Sequence, residues 1–153
     1  MKIKLYQTLS LIPLLLTAQE TSALDYKILP GAACSSVDGS KEASVRRSGG
    51  EVVNIGSSEI TVSCPVVNDV TGETAINTSE VTLKPNGNAT SCSMTARRKN
   101  GSLTSTRSVS SSYDITVSLN FESNITASQK ESQYYMDCRL PAGSSVVQYK
   151  TGE

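Results

Sequence analysis

The sequence predicts an all-β fold, an antiparallel β-sandwich held by two disulfides, and three observations carry that prediction. Apolar residues recur with a period of two wherever the chain is apolar, Asn-Gly and Gly-Gly turns punctuate the runs, and no segment sustains a helical period. Four cysteines, an even number, follow a leader of the kind that export machinery reads. Jelly-roll and immunoglobulin-like topologies both stay open. The lack of tryptophan leaves the immunoglobulin version without its central packing residue.

The leader comes first, over residues 1–23. Basic Lys2 and Lys4 precede an apolar stretch from Leu9 to Ala18, and small residues follow at Thr21-Ser22-Ala23, placing cleavage after Ala23. Ser10 and Pro13 break the apolar stretch, which falls short of the roughly 20 residues that a membrane-spanning helix needs. Gly31-Ala32-Ala33-Cys34 has the small residues of a lipoprotein site, but Asp25 and Lys27 separate it from the apolar stretch. Residues 24–153 are then one domain, secreted or periplasmic, with no membrane contact after cleavage. The leader removes two lysines and one glutamate from a chain of 14 basic and 14 acidic residues, so the mature protein is near neutral. Its overall charge draws it neither to nucleic acid nor to anionic lipid. Leucine, isoleucine, valine and phenylalanine make up about a fifth of the mature chain, the edge at which a sequence struggles to build a core. Covalent bonds have to help.

Cys34, Cys64, Cys92 and Cys138 supply them. Zinc is a poor rival, because no two cysteines have the close C-x-x-C spacing and the protein has no histidine. Four cysteines allow three pairings. The sequential one, Cys34 with Cys64 and Cys92 with Cys138, is favoured: it pins the irregular N-terminal segment to a strand and ties a hairpin strand to the last long strand. Each closed loop would contribute roughly 3–4 kcal/mol in the chain-entropy account.

The strands follow in order: Glu51 to Ile55, Ile60 to Val66, Glu80 to Lys84, Ser91 to Ala96, Leu103 to Val109, Tyr113 to Phe121, Tyr134 to Leu140 and Val146 to Tyr149. The clearest alternation puts Tyr113, Ile115, Val117, Leu119 and Phe121 on one buried face. Ile60, Val62, Cys64 and Val66 share an inward face, as do Tyr134, Met136, Cys138 and Leu140, which suggests bridges that cross the core. Pro85-Asn86-Gly87-Asn88 and Lys99-Asn100-Gly101-Ser102 read as tight hairpin turns, since Asn-Gly supplies the positive φ angles they demand. The Ser- and Thr-rich run from Ser102 to Ser112 reads as an edge strand and loop.

Little chemistry is visible. Without histidine there is no Ser-His-Asp or Cys-His arrangement. Asp114, Glu122 and Asp137 are the carboxylates a glycosidase would draw on, but they fall at polar strand positions and read as surface charge. Asn68-Asp69 with Glu73 is the nearest approach to a calcium loop and reads equally as a turn. No metal or cofactor is therefore expected. Arg46-Arg47 and Arg97-Arg98-Lys99 read as solubilising charge. In Tyr134-Tyr135 one ring must point out if the other points in; Tyr135 is the outward one and the candidate ligand contact, able to stack on a sugar. Asn77, Asn88, Asn100 and Asn124 begin Asn-x-Ser/Thr triplets, an unremarkable number in a chain so rich in Ser and Thr, and they matter only where the host glycosylates.

Pro30-Gly31-Ala32-Ala33-Cys34, then Val53-Asn54 ahead of Val62-Ser63-Cys64-Pro65-Val66, and finally Tyr135-Met136-Asp137-Cys138-Arg139-Leu140-Pro141 with Val146, Tyr149 and Glu153, form a pattern. It resembles a loosely defined group of small exported bacterial proteins of unknown function. The resemblance implies a disulfide-bonded β-sandwich and brings no activity with it. The expectation is an exported, non-catalytic binding or accessory module whose partner is a surface glycan or protein. The alternative is a structural subunit of a pilus or surface assembly. Strand donation would suit that alternative, but Leu24 to Pro30 is short for a donor and the chain does not end on an apolar strand.

Overall fold

The computed structural model describes residues 25–67, 76–98, 100–113, 115–121 and 133–152. Residues 1–24, which hold the expected leader, lie outside them, as do Asn68, Asp69, Glu73, Lys99, Asp114, Glu122, Asn124 and Glu153. Eleven strands run through the described residues: β1 Tyr26–Pro30, β2 Ser35–Ser36, β3 Val45–Ser48, β4 Glu51–Asn54, β5 Ile60–Pro65, β6 Thr78–Lys84, β7 Thr90–Arg97, β8 Leu103–Ser111, β9 Val117–Asn120, β10 Gln133–Leu140 and β11 Ser145–Gly152. Two short 3-10 helices, Gly31–Ala33 and Gly39–Ser44, join the first three.

The strands form two antiparallel sheets, in the orders β3-β4-β11-β6-β9 and β2-β5-β10-β7-β8, and β1 pairs with the far end of β11. This order settles the topology. The nested pairs β4·β11, β5·β10, β6·β9 and β7·β8 are those of one long hairpin wrapped into two four-stranded layers, which is a jelly roll. Strands β1, β2 and β3 are additions at its margins. The wrapping explains why one turn motif has two outcomes. Asn100-Gly101 closes a hairpin between β7 and β8, with Arg98 N–H donating to Ser102 C=O at 3.0 Å. Asn86-Gly87, expected to close another, instead arches from β6 in the first sheet to β7 in the second. Both glycines have the positive φ anticipated, so the dihedral requirement was right and the partner strand was not.

A single core fills the space between the layers. Val52, Val81, Leu83, Val146 and Tyr149 enter from the first sheet and Ile60, Val62, Met94, Met136 and Leu140 from the second. The second sheet's inner face is rich in sulfur. Met136 pairs laterally with both Cys64 and Met94, while Cys138 pairs with Val62 and Cys92. Cysteine and methionine thus cover apolar surface that a chain poor in leucine and phenylalanine leaves unfilled.

Both disulfides have the sequential pairing, Cys34–Cys64 and Cys92–Cys138. They do not cross from one layer to the other. Cys92 and Cys138 are direct neighbours on β7 and β10, and Cys34 sits one rung beyond the Ser35 to Ser63 pair of β2 and β5. Each bridge is therefore a rung within the second sheet, its sulfurs turned into the core. Cys64 and Cys138 do face inward, as their alternation predicts. What alternation cannot tell is whether the partner lies opposite or alongside.

Two further expectations change. The N-terminal segment is not irregular: β1 lies antiparallel on β11 in register from Tyr26 opposite Gly152 to Pro30 opposite Gln148. Tyr113 and Ile115 are not buried but 67% and 68% exposed, because regular pairing on β6 begins only at Val117. Strand β8 belongs to one sheet and β9 to the other, and where a chain changes layers alternate side chains are no longer assigned to fixed faces.

At the end of β4 a polar residue takes a core position. Asn54 is fully buried, and its amide donates to Leu140 C=O and to Ser58 C=O, both at 2.8 Å, while its Oδ1 accepts from Gly56 N–H at 2.9 Å. Its backbone is also paired, with Ser144 C=O and Gly143 N–H. One side chain thereby ties the β4–β5 loop to the β10–β11 turn. Gly31 serves the neighbouring junction: a Cβ there would stand 1.9 Å from Val146 C=O, so only glycine lets the first 3-10 helix approach β11.

Candidate functional site

The jelly roll leaves the second sheet's outer face open, and the pleat decides what lies on it. Strands β5, β10, β7 and β8 turn sulfur and aliphatic groups inward, so the residues between them point out. Register aligns these into rows across the strands. One row runs Ser63, Asp137, Ser93, Ser108 and the next Thr61, Arg139, Ser91, Ser110. Between the rows lies a groove of about 420 Å³ lined by Cys92 and by six polar residues, Thr61, Ser91, Ser93, Ser108, Asp137 and Arg139.

These six side chains have a common property. Among the described residues none of them makes a side-chain hydrogen bond or ion pair. Elsewhere on the outer surfaces hydroxyls find each other, as Thr95 Oγ1 does with Thr106 Oγ1 at 3.4 Å and Thr82 Oγ1 with Ser118 Oγ at 2.9 Å. The groove therefore gathers four hydroxyls, one carboxylate and one guanidinium whose capacity is directed at solvent or a ligand. Asp137 is the one expected carboxylate within the described residues, and among them it is the groove's only carboxylate.

Tyr135 precedes Asp137 on the same face of β10, between buried Tyr134 and Met136. Its hydroxyl accepts from Arg97 Nε at 2.6 Å, and the guanidinium lies 5.8 Å from the ring centroid. Arg97 Nη1 in turn donates to Gly101 C=O at 2.8 Å. The half-buried ring is thus fixed at its hydroxyl end beside the groove.

The arginines expected to be solubilising charge do more specific work. Arg47 Nε and Nη2 donate to Cys34 C=O at 3.2 and 3.0 Å, and its Nη1 donates to Glu42 at 2.7 Å. This bond from Arg47, with a second from Ser36 N–H, holds the exposed Glu42 carboxyl below the usual range. Arg47 and Arg97 are braces for a disulfide junction and a hairpin. Of the Asn-x-Ser/Thr asparagines, Asn88 donates to Asn86 C=O, and Asn100 Oδ1 accepts from Ser102 N–H and Oγ, both inside turns.

A smaller pocket of about 170 Å³ lies on the first sheet, lined by Tyr26, Thr78, Ser79, Glu80, Asn120 and Lys150. Its cation is already engaged, with Lys150 Nζ 3.8 Å from the Tyr26 ring centroid.

Sequence reading placed Asp137 and Tyr135 on the outer face but missed that Asp137, Arg139 and four hydroxyls converge. Nothing in a chain so rich in serine and threonine marks those four from the rest; only lateral register brings them together. All four cysteines are in disulfides, which removes them as metal ligands. Disulfides suit an oxidising extracellular or periplasmic setting, and no helix among the described residues is long and apolar enough to cross a membrane. No protein-family model matches the sequence, and no curated protein matches it.

Proposed function

We propose that this chain is an exported, non-catalytic binding module that engages an extracellular polymer through the outer face of its second sheet. The observation that carries the reading is the groove, in which six polar side chains from four strands converge without partners among the described residues. Jelly rolls host many activities, so the reading rests on the groove and not on the fold. Rigid strands on a cross-linked sheet hold these groups in place, and a pre-organised surface loses little entropy on binding. Among the described residues the groove offers a single carboxylate, whereas glycoside hydrolysis uses two flanking the scissile bond, which favours binding over turnover. Tyr135, fixed beside the groove, supplies an aromatic contact at its margin.

The alternative of a strand-donating subunit fits less well, since the N-terminal strand is already seated on the chain's own last strand. The test is affinity electrophoresis of the oxidised mature protein through gels containing soluble polysaccharides and cell-wall polymers. At least one polymer should retard the protein, and Tyr135→Ala should weaken that retardation at a temperature where the variant is still folded, its melting temperature lowered by about 5–10 °C for the half-buried ring and the lost Arg97 hydrogen bond. Migration unchanged in every polymer would overturn the reading.

A further inference from the structure

The composition of the groove also restricts what it can hold. We infer that it takes a neutral, polyhydroxylated glycan chain lying across the strands, an inference that rests on the polymer-binding reading above. Asp137 and Arg139 are two residues apart on one strand and point to the same side, so they stand roughly 7 Å apart within one groove. A polyanion reaching Arg139 must bring a neighbouring charge against Asp137, and a polycation reaching Asp137 must do the same against Arg139. Neither repeat can satisfy both. A sugar hydroxyl donates and accepts, so a neutral chain gives Asp137 its donors and Arg139 its acceptors at once.

The direction follows from register. The Ser63, Asp137, Ser93, Ser108 row presents one polar side chain per strand, at the lateral spacing of about 4.8 Å between strands. Four strands span about 14 Å, the length of a short oligosaccharide, and hydroxyls repeating along a glycan meet one protein group per strand. Along a strand the same-face spacing is longer and the row is interrupted at Tyr135, whose hydroxyl is held by Arg97. Serines in the floor let the chain approach the sheet closely.

The experiment measures affinity of the oxidised mature protein for a neutral β-glucan, a galactomannan, polygalacturonate and chitosan, from 50 to 500 mM salt. Asp137→Asn and Arg139→Gln are measured beside the parent protein, with melting temperature as the control for folding. The inference expects a neutral polymer to bind with no salt dependence and both substitutions to weaken it about tenfold, the worth of a hydrogen bond to a charged group. Tight binding of polygalacturonate that Asp137→Asn strengthens, or of chitosan that Arg139→Gln strengthens, would overturn the neutral class while leaving polymer binding intact. Absence of binding to all four, or binding that neither substitution alters, would overturn both this inference and the reading beneath it.

Discussion

Replacing Asn54 by alanine tests how the sandwich is closed at its β4 end. The side chain is fully buried and makes three hydrogen bonds, donating to Leu140 C=O and Ser58 C=O and accepting from Gly56 N–H. Alanine deletes all three and leaves the Leu140 carbonyl buried, while Gly56 and Ser58 lie nearer solvent. At about 1 kcal/mol per bond the loss is roughly 3 kcal/mol, and the stranded Leu140 carbonyl can raise it toward 4. For a domain of this size each kcal/mol moves the midpoint by about 3–5 °C, so the melting temperature should fall by about 10–15 °C. Urea unfolding followed by circular dichroism should give the same loss with an unchanged m-value, because the exposed surface on unfolding hardly differs. Asn54→Asp separates hydrogen bonding from shape. It keeps the acceptor for Gly56 N–H but turns a second, charged oxygen onto the Leu140 and Ser58 carbonyls, so it should be worse than alanine at pH 7 and recover as pH falls and the carboxyl is protonated. A drop below about 3 °C for Asn54→Ala would refute the reasoning, showing that the three bonds are exchanged for water at no net cost.

Other predictions follow from single contacts. Gly31→Ala places a methyl 1.9 Å from Val146 C=O and should cost at least about 2 kcal/mol, whereas Gly39→Ala meets nothing within 4 Å and should be neutral or slightly stabilising; comparative thermal melts decide. Removing the bridges one at a time by paired Cys→Ala substitution should cost about 3.6 kcal/mol for Cys34–Cys64 and about 4.0 for Cys92–Cys138, from separations of 30 and 46 residues, so denaturant curves should rank them close together. The Tyr149 hydroxyl donates to Pro65 C=O at 2.7 Å, and burial pushes its pKa up from 10.0 to about 12. A raised folded pKa means the group's stabilisation is complete below pH 10 and is lost as pH climbs toward 12. Tyr149→Phe should therefore flatten the alkaline arm of a stability profile, at a cost of about 1 kcal/mol at neutral pH for the lost hydrogen bond.

Strands β5 and β10 were legible because each is central in its sheet, with one face on the core, so alternation maps directly onto burial. Strands β1, β2 and β3 were not, for the opposite reason: they are short, marginal and half-exposed, and Val45-Arg46-Arg47-Ser48 offers a single apolar residue to any periodicity. In β11 a bulge between Val146 and Gln148 puts Val146 and Tyr149 on the same face three residues apart, which blurs a period of two. The jelly-roll connectivity has no local signature, since Asn-Gly suits an arch between layers as well as a hairpin within one. The groove was hidden for a related reason. Asp137 and Arg139 are visible as outward residues of β10, but their hydroxyl neighbours arrive from β5, β7 and β8 through pairings the sequence does not print. Asn54 left a trace: a polar residue at an inward position of an alternating strand marks a buried hydrogen-bonding hub.

The central claim is that ligand is held on the outer face of the second sheet. Amide chemical shifts followed while a neutral oligosaccharide is titrated into the isotopically labelled, oxidised protein test it most directly. The account predicts shifts clustered at Thr61, Ser91, Ser93, Ser108, Asp137 and Arg139, spreading to Tyr135 and leaving the first sheet silent. Shifts gathered instead around Tyr26, Glu80 and Lys150, or none at saturating sugar, would contradict it.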